Sequence, residues 1–310
     1  MTFPILASKL SGVERGTLPQ TVLPSLDDLL EMSPHELRAV DIAAMNLACA
    51  VELPGSESVD NRSCLATLEQ WTATIARYTR NCLPDYDADP AYCHHHPGFF
   101  RFLCIVTMLK HPNGLRCGYQ PTAIGNFDFI DARDDFISGL LTRQLGTCSS
   151  FPVLCVAVGR RLGYPMHVAV AHGHVLCQWI NDDGTHANLE CSGYGGGEMY
   201  PDSHYHDWPH PPPPQLLATG RYLRPLEPHE ELSLFLATRG HVLVDHHRYA
   251  EAEEVFHHCL RITPDFTLAG YALQDLNERR YRNAVRQSFS STFIAAPPPE
   301  VTWQVTYLGA

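Results

Sequence analysis

GTCSSFPVLCVAVGRRLGYP, residues 146–165, holds two of the chain's eleven cysteines and decides how the rest is read. Phe151, Leu154, Cys155, Val158 and Leu162 fall at i, i+3, i+4, i+7 and i+11, which is one face of a helix. Ser149 or Ser150 is placed to cap that helix, and Pro152 lies in its first turn, where a missing N–H is tolerated. Arg160 and Arg161 occupy the last turn, Gly163 suits the left-handed position beyond it, and Pro165 forbids continuation. Cys155 falls on the apolar face and reads as core. Cys148 precedes that face, at the mouth of the helix.

Immediately downstream the period changes from helical to two. MHVAVA, HVLCQWI and HANLECS read as strands, with NDDG as the turn between the last two. Upstream, residues 25–82 read as mostly helical, with Ser33 and Glu36 forming a capping box. LPGSESVD (53–60) is a turn, and Leu65, Leu68, Trp71 and Ile75 mark one face of a helix over 64–78. NCLPDYDADPAYCHHHPG (81–98) carries three prolines and reads as a loop, followed by a buried helix, FFRFLCIVTMLK (99–110). HPPPPQLL (210–217) reads as an extended spacer. Beyond it, residues 230–266 have the pattern of a helical hairpin resembling one tetratricopeptide repeat, and one such unit must dock on something to bury its face. The alternating end of the chain, within 291–310, suits an edge strand. The expected fold class is therefore α+β. Its parts are an N-terminal helical region (1–98), a core (99–209), a Pro-rich linker (210–228), a repeat-like hairpin (229–283) and a tail (284–310).

Composition excludes several classes of protein. With 45% hydrophobic residues among 310, the chain can bury a substantial core. Its longest apolar runs are about half of the ~20 residues a bilayer span needs, and the first residues lack the charged and apolar regions of a secretory signal. Eleven irregularly spaced cysteines without a CxxC pair argue against a disulfide framework and a zinc ribbon, and for reduced thiols in a cytoplasm. A net charge of −12 without a basic stretch disfavours nucleic acid as a partner.

The chemistry converges on Cys148. A thiolate at a helix mouth gains from the positive end of the helix dipole, and a nearby histidine can carry its proton. His174 opens the strand HVLCQWI, and Glu190 lies on the next strand, in the order Cys, His, carboxylate of papain-type thiol acyl transfer. If the two strands pair around a three-residue loop centred on Asp182, His174 faces Glu190. A slip of one residue would bring Cys191 there instead. Asn188 shares the strand face of Glu190 and is the reserve for orienting the imidazole. The backbone N–H of Cys148 is one oxyanion donor; Tyr119, Gln120 and Asn126 are the upstream options for a second.

GTCSSFPVLCVAVGRRLGYP, GHVLCQW and NLE together resemble the bacterial branch of the transglutaminase-like superfamily. NLACAVELPGSESVD, GLRCGYQP, DSHYHDWP and EELSLFLATRG extend the resemblance over residues 40–282. It implies a papain-like core with Cys148 as nucleophile, His174 as general base and acid, Glu190 as the orienting carboxylate, and Trp179 as the aromatic that follows the strand histidine. It also implies no cofactor, and a protein, peptide or small acyl or amine substrate. The superfamily usually has Asp where this chain has Glu190, so Asn188 keeps its place as an alternative. Two other readings stand beside the enzyme. A catalytically silent binding protein is suggested by the repeat-like hairpin, which could take a protein partner. A metal hydrolase is suggested by eighteen histidines, although no HExxH helix occurs, and no metal is expected.

Overall fold

The computed structural model describes residues 23–120, 129–191, 197–218, 220, 222–266, 269–278 and 280. Asn126 and the edge strand expected within 291–310 lie outside the described residues. The described chain is α+β, with helices around a four-stranded antiparallel sheet and a separate two-stranded parallel pair.

Three short helices open it: α1 (Leu26–Glu31), α2 (Pro34–Leu37) and α3 (Ile42–Cys49). Ser25 with Asp28 and Ser33 with Glu36 form capping boxes, and Asp41 accepts from the N–H groups of Ala43 and Ala44. The sequence of α3, IAAMNLAC, is apolar all round apart from Asn46, and every residue of it is buried. Asn46 is satisfied there by accepting the N–H of Ile137 at 3.0 Å.

Helix α4 (Asn61–Ala88) departs from the expected loop, because it runs straight through Pro84. A helix-interior proline costs about 3 kcal/mol. The packing that offsets this lies one turn apart on one face, where Cys82 is buried and Tyr86 stacks on Phe100 with ring centroids 4.6 Å apart. Phe100 belongs to α5 (Pro97–Lys110), the buried helix expected from its composition. Next come β1 (Gly118–Tyr119), α6 (Ala132–Asp135), α7 (Ile137–Arg143) and β2 (Leu145–Gly146), and β1 pairs in parallel with β2.

Helix α8 (Phe151–Arg161) is the expected helix, ending at Gly163 with φ +75°. It leads into β3 (Met166–Ala171), β4 (His174–Ile180), β5 (His186–Glu190) and β6 (Glu198–Tyr200), paired in that order. One face of the sheet packs on α8 through residues such as Val175, Cys177 and Leu189. The opposite face buries Ala169, Ala171 and Leu176 under Tyr205 and Leu223. The structure corrects the reading of 210–217 as an extended spacer within the linker 210–228. The segment contains α9 (Pro214–Ala218), Leu223 is buried, and Leu226 donates its N–H to the Val168 carbonyl at 2.8 Å.

The helical hairpin is α10 (Pro228–Asp245) and α11 (Tyr249–Ile262), and it docks on the rest of the chain. Arg239 donates to the carbonyls of Cys49 and Val51 at 3.0 and 2.7 Å, capping the end of α3. Buried Glu231 takes both terminal nitrogens of Arg160 at 3.0 and 2.6 Å, while Arg161 reaches Asp41 and Glu69. A single hydrophobic cluster runs from Leu29 through the sheet to Leu276, so among the described residues the N-terminal helical region, the core, the linker and the hairpin share it. Among the described residues no helix is long and apolar enough to cross a membrane.

Candidate active site

The turn that carries Cys148 is built by its neighbours. Gly146 has no room for a side chain: a Cβ there would lie 2.5 Å from Ser150 Oγ and 2.8 Å from Leu140 Cγ. The Thr147 N–H donates to Ser150 Oγ at 2.9 Å, and Ser150 Oγ in turn donates to the Asp134 carbonyl at 2.9 Å. Thr147 Oγ1 donates to Asp135 at 3.1 Å. Ser150 is therefore consumed in the turn and makes no side-chain cap on α8, contrary to the capping role expected for that pair of serines. Cys148 lies three residues ahead of the first helical residue, in the turn itself.

Of the eleven cysteines, ten are buried and Cys148 alone is partly open. Its side chain interacts with His174, whose Nε2 lies 2.6 Å from Glu190 Oε2. The carboxylate can only accept, so Nε2–H donates to Glu190 and Nδ1 is left as the ring nitrogen for the sulfur. Both His174 and Glu190 are buried. Burial opposes charge on the imidazole, but the hydrogen bonds and negative charge of Cys148 and Glu190 outweigh it and raise the His174 pKa to about 10. The imidazole thus holds its proton through neutral pH.

Strand register explains how Glu190 reaches it. Gln178 pairs with Asn188 and Cys177 with Leu189, around a turn closed by Asn181 and Thr185. Continuing that register sets Glu190 opposite Leu176, two residues from the direct pairing with His174 that a loop centred on Asp182 would give. A slip of two preserves the face. Diagonal neighbours stand about 7–8 Å apart at their Cα atoms, and the extra methylene of Glu over Asp helps close that gap. Asn188 has other partners: its Oδ1 accepts from Gln178 at 2.8 Å and its Nδ2 donates to Asp202 at 2.7 Å.

The remaining expected residues separate. Pairing of β1 with β2 brings Tyr119 beside Cys148, where its hydroxyl oxygen accepts the Cys148 N–H at 3.2 Å. Burial, reinforced by the adjacent Cys148, lifts the Tyr119 pKa well above its usual value, so the phenol keeps its proton. Gln120 turns its amide to Asp134 at 3.1 Å. Trp179 stands on the opposite strand face from His174, packed against Gly98 and Tyr164, away from the Cys148–His174 pair. The aromatic that does meet His174 is Trp208, edge to face at 4.8 Å between ring centroids. It lies in DSHYHDWP, a segment singled out in the sequence by its family resemblance and its histidines but not by any pairing with His174. Two residues on, His210 stands near His172.

Among the described residues the histidine runs form no group with ligand atoms close enough to share an ion. His96 Nδ1 accepts the Phe99 N–H at the start of α5, and His172 bonds the Pro211 carbonyl. Among the described residues, the one group of three or more His, Cys, Asp or Glu with ligand atoms close enough for a shared ion is Cys155, Cys177 and Cys191. In comparisons with known proteins, no family model, curated protein or solved structure matches the chain.

Proposed function

We propose that the chain is a cysteine-dependent acyl-transfer enzyme with a papain-like core of the transglutaminase-like type. The observation that carries this reading is the line from partly open Cys148 through His174 to Glu190, with the histidine hydrogen-bonded to the carboxylate and raised in pKa by both neighbours. In the first half-reaction Cys148, its thiol proton having passed to His174, attacks an amide or other acyl carbonyl as the thiolate, forming the C–S bond as the carbonyl π pair moves onto oxygen. When that oxyanion collapses, the C–N bond breaks and the proton held on His174 passes to the leaving amine. Neutral His174 then takes a proton from water, and the resulting attack breaks the thioester and returns the sulfur to its starting state. An amine in place of water gives transfer. Hydrolysis is the favoured course, because water requires no second binding site.

The oxyanion donors follow from the turn. The Cys148 N–H can exchange the Tyr119 oxygen for the substrate's, and the Tyr119 O–H beside it supplies a second donor. Glu190 orients the ring and offsets its charge, and Trp208 covers one edge. The substrate class is a protein, peptide or small acyl or amine compound.

Site-mapped alkylation with iodoacetamide at pH 7 tests the reading. Cys148 reacts first among the eleven cysteines in the native chain, and His174→Ala slows its alkylation at least tenfold. Exposure alone would make Cys148 the first to react, so the effect of His174→Ala is decisive. An unchanged rate in that variant would show Cys148 to be an ordinary open thiol, and the enzymatic reading would fail.

A further inference from the structure

The catalytic reading leaves unused a second sulfur group beneath the site. Cys155, Cys177 and Cys191 are completely buried, and their Sγ atoms all lie within 4.8 Å of one another. Each comes from an element that also carries or follows a proposed catalytic residue. Cys155 is on α8 behind Cys148, Cys177 is three residues past His174 on β4, and Cys191 adjoins Glu190.

We propose that Cys155, Cys177 and Cys191 form a binding site for one thiophilic ion of low coordination number, Cu(I). Three sulfurs held at a metal–sulfur distance of about 2.3 Å in a trigonal plane stand about 4 Å apart. The cluster therefore needs to contract by less than about 1 Å, within the reach of χ1 adjustments. Ligand softness selects the metal, because all-thiolate sites favour Cu(I), zinc and iron–sulfur clusters over oxygen-seeking ions. Structural zinc and iron–sulfur clusters take four protein ligands. Among the described residues no fourth His, Cys or carboxylate joins the three within that spacing. A trigonal monovalent ion is what the donor set fits.

The surroundings supply what the ion requires. The Cys177 thiol donates to the Pro152 carbonyl at 3.4 Å, and that proton, like those of the other ligating thiols, leaves to solvent when the sulfur binds the ion. Lys110, which faces Cys155 electrostatically together with Cys117, offsets part of the thiolate charge. Its ammonium lies 5.2 Å from the Phe151 ring centroid, at the start of α8. A bound ion would fasten α8 to β4 and β5 at the depth where the three catalytic side chains must keep their alignment.

The test uses the full chain, reduced and anaerobic, with Cys148→Ala removing the open thiol. Cu(I) is presented as its bathocuproine disulfonate complex, and retained copper is counted after desalting. One copper per chain is expected, falling to background in Cys155→Ala and in Cys191→Ala but not in Cys82→Ala, which removes a buried cysteine elsewhere. X-ray absorption of the copper-loaded Cys148→Ala chain should show three sulfurs around the metal, a result that does not depend on the cysteine variants folding. No retained copper, equal retention in Cys155→Ala, or a shell containing nitrogen or oxygen overturns the proposal. None of these outcomes bears on the alkylation result at Cys148.

Discussion

Replacing Glu190 with Gln isolates the charge on the buried carboxylate while leaving an oxygen to accept the Nε2 hydrogen bond. In the native chain the pair is 2.6 Å apart and shielded from water. Hydrogen bonds to charged groups contribute about 1.5–3 kcal/mol, and leaving a buried charge without its partner costs about 3–5 kcal/mol. A loss of about 3 kcal/mol lowers the pH at which His174 releases its proton by about two pH units, from the native value of about 10. The stability consequence has a definite sign. A histidine pKa raised on folding contributes stability that is complete below the ordinary value of 6.5 and is lost as pH rises toward 10. Across the two pH units below 10, the native folded state still holds the proton whereas the variant has released it. The native advantage therefore shrinks by about 1.4 kcal/mol per pH unit there, about 3 kcal/mol in all. Two assays check this: a nitrogen-15 NMR titration of the His174 ring, and urea unfolding of both chains at half-unit intervals from pH 6 to 10.5. If His174 titrates within half a pH unit of its native midpoint in Glu190→Gln, Glu190 is not its charge partner. The line from Cys148 to Glu190 then loses its third member.

Two further outcomes are expected. Arg160→Ala strips the partner from fully buried Glu231 and lowers stability by about 3–5 kcal/mol at pH 7. Glu231, whose pKa burial already pushes up, then takes a proton more readily, so urea unfolding should recover part of the loss near pH 5; an equal deficit at both pH values would contradict the pairing. Gly146→Ala forces a Cβ against Ser150 Oγ and Leu140; overpacking of this kind costs about 1–3 kcal/mol. Because Ser150 Oγ holds the Cys148 turn, a fall in thermal midpoint should be accompanied by slower alkylation of Cys148, and a melt unchanged from the native chain would show that the turn yields freely.

The elements nearest the site were legible because their signals are local. The helical face from Phe151 to Leu162, Gly163 at its end and the switch to period two need no distant partner to be read. The capping box of Ser33 and Glu36 is equally local. What escaped depended on tertiary contacts. Pro84 marks a loop by its own preference, but the stack of Tyr86 on Phe100 holds the helix through it. HPPPPQLL is extended by composition, yet the residues after it are drawn under the sheet by Leu223 and by the Leu226 N–H. Ser150 has the chemistry of a cap, but the tight approach of Gly146 gives its hydroxyl two better partners. Trp208 meets His174 across more than thirty residues, a contact that no periodicity encodes.

Register is the most instructive case, because one number decides two sites. Direct opposition of His174 and Glu190 was the pairing expected from a loop centred on Asp182, and the observed hairpin is displaced from it by two residues. Alternation along a strand makes an even displacement harmless to the choice of face and an odd one fatal. With the even displacement, Glu190 stays on the His174 side as a diagonal neighbour, where a glutamate reaches farther than an aspartate. The same parity sends Cys177 and Cys191 to the opposite side, toward α8 and Cys155. A displacement of one residue would have exchanged the two, setting a thiol against the imidazole and burying a carboxylate among sulfurs. The His174–Glu190 pair and the sulfur cluster are thus two consequences of a single turn, Asn181 to Thr185. Inserting one residue between Asp182 and Asp183 should disrupt both together: His174 should lose its raised titration, and the chain its ability to retain Cu(I). Loss of only one of the two would show that the strands can re-pair independently of the turn.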